Sequence, residues 1–197
     1  GDTVTVRCKN ALSEEPRPAA ARLSFTSTPE SRSAAKPRDG AAVAGIGNVW
    51  FKDNYSGPRS GLYPEFRKAV SAEVPRALEE ISKLMGQPGY RSAFPRPLGL
   101  RVEYDPTQRG GLAYLDPTGN RSEGQRLTFN MATWEDCPSH PIMRSVVAHE
   151  LTHAVLHDLV GDGDAARVPQ WFDEGLGMLA GGEPVAGIML DAAYYRH

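Results

Sequence analysis

The sequence predicts an α+β fold, and three observations carry that expectation. Short stretches at residues 46–51, 98–104, 111–115 and 125–130, rich in apolar and β-branched residues and bounded by Gly-, Pro- and Asp-rich turns, read as strands. Between residues 62 and 85, apolar residues recur every three or four positions, which marks one face of a helix. Two further helical patterns, at 145–160 and 169–180, follow one another with no strand between them. The order strand, helix, three strands, helices segregates the two kinds of element instead of alternating them, as α+β folds do.

The chain has 197 residues, enough for one domain, or one domain with an appendage, around a sizeable core. The formal net charge is −2, and the Lys and Arg residues are scattered rather than clustered, so a nucleic-acid partner is not expected. No apolar run approaches the length of a membrane span. The two cysteines, Cys8 and Cys137, have no zinc-ribbon or redox spacing. One bridge between them would imply an oxidising compartment, and the expected location is therefore secreted or periplasmic; two free buried thiols are the alternative.

Residues 3–7 alternate like a strand, and residues 13–40 are rich in Pro, Ala, Ser and Arg, which reads as a linker with little core of its own. The expected division is therefore an N-terminal strand with a linker or pro-segment over 1–42 and the main domain over 43–197. Within the latter, strand 46–51 leaves through a turn-rich stretch at 54–61. The helix that follows shows Leu62, Phe66, Val70, Val74, Leu78, Ile81 and Met85 on one face, with Pro64 suited to its first turn. Pro75 falls inside the pattern and is expected to kink or break it, because its ring removes a hydrogen bond and crowds the preceding turn. Gly86 and Pro88 end the helix. Strand 98–104 closes at Asp105-Pro106, and strands 111–115 and 125–130 flank the turn-rich 116–124. Trp50, Phe51 and Trp134 need no role beyond packing.

The helix at 145–160 carries His149-Glu150-Leu151-Thr152-His153, an H-E-x-x-H pattern. Residues four apart on a helix differ by only about 40° in direction, so both imidazoles project from one side, one turn apart, and can meet a single zinc ion. Glu150 stands beside that stripe, placed to act as a general base toward water at the ion. Val147, Leu151, Val155 and Leu159 lie opposite, so the helix is apolar nearly all round and belongs inside the domain. A catalytic zinc takes three protein ligands and keeps one position open. A histidine six residues on is excluded by Leu159, and His157 is two turns, about 12 Å, from His149 along the axis. In the helix at 169–180, Trp171, Glu174 and Met178 share a face, and a carboxylate there is costly unless it is coordinated or paired. Glu174 is the expected third ligand, with Asp173 as the alternative. Gly175 and Gly177 are expected to clear space for two helices to approach.

His149-Glu-Leu-Thr-His153 followed by Trp171-Phe-Asp-Glu-Gly175 resembles the gluzincin metallopeptidases, and among them the compact bacterial peptidase-MA-like domains and minimal gluzincins. The similarity spans residues 46–182 in the order of elements and is specific in the two motifs alone. It implies a zincin-like fold in which a small mixed sheet meets a backing helix from Leu62, an active-site helix and a glutamate helix. It also implies one zinc ion on His149, His153 and Glu174, with Glu150 as general base in peptide-bond hydrolysis. Gly111, Leu112, Ala113 and Tyr114 would line the cleft and hold an extended peptide or protein substrate at a free strand edge. Tyr194 or Tyr195 is a candidate donor to the oxyanion. The G-x-M-E-N string found in an exopeptidase branch of the group is missing, which favours an endopeptidase over an aminopeptidase. The competing expectation is a zinc-stabilised interaction module without catalysis.

Overall fold

The computed structural model describes residues 4–5, 22–23, 41–43, 45–52, 55–91, 93–107, 111–116, 124–134, 142–161 and 167–183. The chain divides into two units, Gly1–Glu30 and Ser31–His197. In the first, β1 (Val4–Thr5) pairs antiparallel with β2 (Arg22–Leu23), Val4 opposite Leu23. A strand pair thus reaches into the stretch expected to be linker. Cys8, Cys137, Tyr194 and Tyr195 lie outside the described residues.

The second unit holds a mixed sheet of β3 (Ala41–Ala42), β4 (Gly47–Phe51), β5 (Ala93–Glu103), β6 (Ala113–Asp116) and β7 (Gln125–Asn130), in the order β3-β4-β5-β7-β6. β3 belongs to this sheet through Ala41 opposite Phe51, and it begins two residues before the expected domain start at 43. β4 and β5 are parallel, as are β5 and β7, whereas β6 runs antiparallel to β7 and forms the outer edge. A parallel pair needs a crossover, and α1 (Tyr63–Leu84) supplies it between β4 and β5.

The α1 stripe is buried as its spacing predicts: Phe66, Val70, Val74, Leu78 and Ile81 are each 0% exposed. They pack with Leu98, Leu100, Leu127 and Phe129 from the sheet. Phe66 stands edge-on to both Phe129 and Trp134, ring centres 5.4 Å apart in each pair. Pro75 does not end the helix, which continues unbroken to Leu84. Buried Val74 and Leu78 hold both sides of the proline to one core, and the carbonyl its ring leaves without a donor belongs to Ser71, which is not fully buried.

Two further helices are described in the unit, α2 (Met143–Val160) and α3 (Gln170–Gly181). Val147, Leu151 and Val155 are fully buried in the core, so the apolar side of α2 faces inward and its histidines face α3 and β6. The far end of α2 is anchored by Asp158, which accepts hydrogen bonds from Arg96 Nε at 2.6 Å and Tyr90 Oη at 2.5 Å. Across the sheet, Thr133 Oγ1 donates to the Gly111 carbonyl at 3.1 Å, and Trp134 Nε1 and Asn130 N donate to that of Leu112 at 3.2 and 3.0 Å. Gly111 and Leu112 are therefore tied to the end of β7 and the turn that follows it, and the strand begins at Ala113.

Candidate functional site

One turn of α2 separates His149 and His153, whose rings lie 4.8 Å apart, centre to centre. Glu174 approaches from α3: its Oε2 is 3.3 Å from His149 Nε2 and 3.9 Å from His153 Nε2. The ligand atoms of the three residues all fall within 4.8 Å of one another, the group among the described residues that could hold a metal ion. Tetrahedral ligands at the usual zinc distances are about 3.4 Å apart. The two Glu174 distances lie close to that value, and the donor set of two imidazole nitrogens and a carboxylate oxygen suits zinc. The residues present fit one ion.

The face of α3 expected from its spacing needs correction at Trp171 and Gly175. Trp171 is 56% exposed, stacked edge-on against Phe172, while Met178 is buried. A Cβ on Gly175 would meet nothing within 4 Å. Both findings have one cause. The stripe of α3 that meets α2 is Asp173, Gly177 and Gly181, touching His153, His149 and Ser145 in turn, so the two helices run antiparallel. Trp171 and Gly175 are each about 200° round the helix from Asp173 and face away. Gly177 does clear space, since a Cβ there would lie 2.9 Å from His149 Cδ2 and Nε2.

A second layer of carboxylates holds the rings. Asp173 Oδ1 is 2.5 Å from His153 Nδ1, and its Oδ2 is 3.3 Å from His157 Nε2. Glu183 Oε1 is 3.0 Å from His149 Nδ1. Asp173 thus stands on the Nδ1 side of His153, away from the Nε2 atoms gathered around Glu174. His157 is the partner of that carboxylate, not a member of the metal group. Sequence reasoning does not single out Glu183, and nothing in its surroundings marks it, since it follows Gly181-Gly182 beyond the end of α3.

The charges are coupled. Burial lowers the pKa of His149, but the hydrogen bond to Glu174 and the charges of Glu150 and Glu183 outweigh it and raise the value to about 9. Glu174 is held below the usual carboxylate range, mainly by its bond to His149. For Asp173, burial acts upward, yet the bonds from His153 and His157 keep it well below that range. Burial pushes the Glu150 carboxyl above its ordinary value, against the opposing pull of His153 and His149. For zinc-free protein the signs follow. The His149 contribution to stability is complete below its ordinary pKa of 6.5 and is lost as pH rises through about 9. Those of Glu174 and Asp173 are present above the ordinary carboxylate range and are lost on acidification. A zinc ion bound through His149 would have to displace that proton, so its apparent affinity would be expected to rise by about tenfold per pH unit between pH 7 and 9. Competition against a chelator of known affinity at several pH values measures this; a flat profile over that interval would contradict it.

His149, Glu150, His153, His157, Asp173 and Glu174 share the lining of one cleft of ≈ 390 Å³ with Ala113, Tyr114 and Leu115 of β6. Tyr114 Oη donates to Glu103 Oε1 at 2.9 Å, which holds its ring over the outer side of the sheet. Of the strand expected to line the cleft, Gly111 and Leu112 precede its wall, and Ala113, Tyr114 and Leu115 belong to it. No helix among the described residues is long and apolar enough to cross a membrane. No protein-family model, curated protein or solved structure gives a significant match to the chain.

Proposed function

We propose that this chain is a zinc-dependent peptidase of the gluzincin type, built on a zincin-like arrangement of sheet, backing helix α1, active-site helix α2 and glutamate helix α3. The observation that carries the reading is the convergence of His149, His153 and Glu174 within 4.8 Å, with Glu150 in the wall of the same cleft. His149, His153 and Glu174 would hold the ion. When bound, zinc lowers the pKa of water and polarises a carbonyl.

The remaining roles belong to the protein. Glu150 takes a proton from the attacking water and returns it to the leaving amine, so that one carboxylate serves both halves of the hydrolysis. Its raised pKa suits that shuttle. β6 is the outer strand of the sheet, and its outward N–H and C=O groups can pair with an extended peptide laid beside α2. A peptide so paired passes through the cleft with chain on both sides, which favours internal bonds over terminal ones. A purely structural zinc would have no use for a carboxylate at position 150, and this counts against a non-catalytic interaction module.

The test is digestion of a mixed peptide library by zinc-loaded protein, read by mass spectrometry. The expected result is cleavage at internal bonds, abolished by a zinc chelator and restored by added zinc. Zinc-loaded protein that leaves the library intact across pH 6 to 9 would refute the proposal.

A further inference from the structure

We infer that Glu183 is a positioning residue for His149, delivered to it by the turn that ends α3; this rests on the metal site proposed above. His149 has two ring nitrogens with different tasks. Nε2 faces Glu174 at 3.3 Å, and Nδ1 faces Glu183 Oε1 at 3.0 Å. An imidazole offers a lone pair at one nitrogen only when the other carries the proton. A carboxylate at Nδ1 keeps the proton there, fixes the plane of the ring and leaves Nε2 as the atom able to bind a cation.

The backbone explains how a residue beyond the helix reaches back. Gly182 adopts φ 69°, ψ 26°, a left-handed conformation that residues with a Cβ rarely take. The Gly182 N–H bonds to the Leu179 carbonyl at 3.3 Å, and the Glu183 N–H bonds to that of Met178 at 2.9 Å. This pattern closes the C-terminus of α3 and turns the chain over α2. Glu183 therefore arrives beside the first turns of α2, nine positions after the ligand Glu174, on the side of His149 that Glu174 does not occupy. The helix that brings one ligand also carries, at its end, the group that aims another. Glu183 keeps this contact with His149 Nδ1 while 33% of its side chain is exposed.

Zinc affinity of wild type, Glu183→Ala and Glu183→Gln, measured by chelator competition alongside thermal unfolding of the zinc-free proteins, tests the assignment. Glu183→Ala is expected to weaken zinc binding by about 10- to 100-fold. Glu183→Gln retains an oxygen that accepts from Nδ1 and is expected to recover most of that loss. Glu183→Ala binding zinc within twofold of wild type would overturn the inference, as would a fall in the unfolding temperature of the variants with zinc affinity unmoved. Wild-type protein that binds no zinc would instead sink the metal site itself.

Discussion

Zinc-loaded Glu150→Gln is expected to retain its metal and lose about 10²- to 10⁴-fold in kcat, the usual contribution of a positioned general acid–base. Gln fills the same volume and keeps an oxygen and a nitrogen in the cleft wall, so the change removes proton transfer with little change in shape. Glu150 is not one of the three residues whose ligand atoms converge, and zinc affinity should therefore stay within a few-fold of wild type. Burial that raises the Glu150 pKa also implies that the charged form is held at some cost. The neutral amide should leave the fold as stable or slightly more so. Steady-state cleavage of a peptide found in the library, with zinc content measured on the same sample, separates the outcomes. Undiminished turnover at full zinc loading would remove Glu150 from the mechanism.

Glu174→Ala should have its largest effect on the metal. Structural zinc sites release about 10–16 kcal/mol over four ligands, roughly 3 kcal/mol for each, so loss of one ligand is expected to weaken zinc binding by about a hundredfold or more. The fold should survive. Glu174 has 43% of its side chain exposed, and the contact of α3 with α2 rests on Asp173, Gly177 and Gly181. The same change takes away the leading cause that raises the His149 pKa, so what zinc affinity remains should depend less on pH between 7 and 9. Zinc affinity within threefold of wild type would show that the carboxylate does not ligate.

Much of this arrangement can be read from spacing because it is local. The two histidines share a face through the helical period alone, and the α1 stripe from Phe66 to Ile81 is buried for the same reason. Other features depend on how elements meet. Spacing alone points to the large apolar face of α3 as its inner one, whereas antiparallel packing on α2 selects Asp173, Gly177 and Gly181 and turns Trp171 to solvent. Which carboxylate meets which ring follows from that packing, and so Asp173 and Glu183 carry no signature as ring partners. The early part of β5 is hidden by Pro95 and Pro97, which argue against a strand. They sit where the pairing of β4 with β5 slips between Ala93 and Leu98, before β5 pairs with β7 from Leu98 onward. A proline that donates nothing to the ladder is tolerated in such a slip.

Anomalous diffraction at the zinc edge, from crystals of the full chain grown with zinc, locates the ion directly. One peak per chain, within about 2.0–2.2 Å of the Nε2 atoms of His149 and His153 and of a Glu174 oxygen, is the predicted result. A peak bound through Nδ1, a peak away from Glu174, or no peak between α2 and α3 would contradict the account.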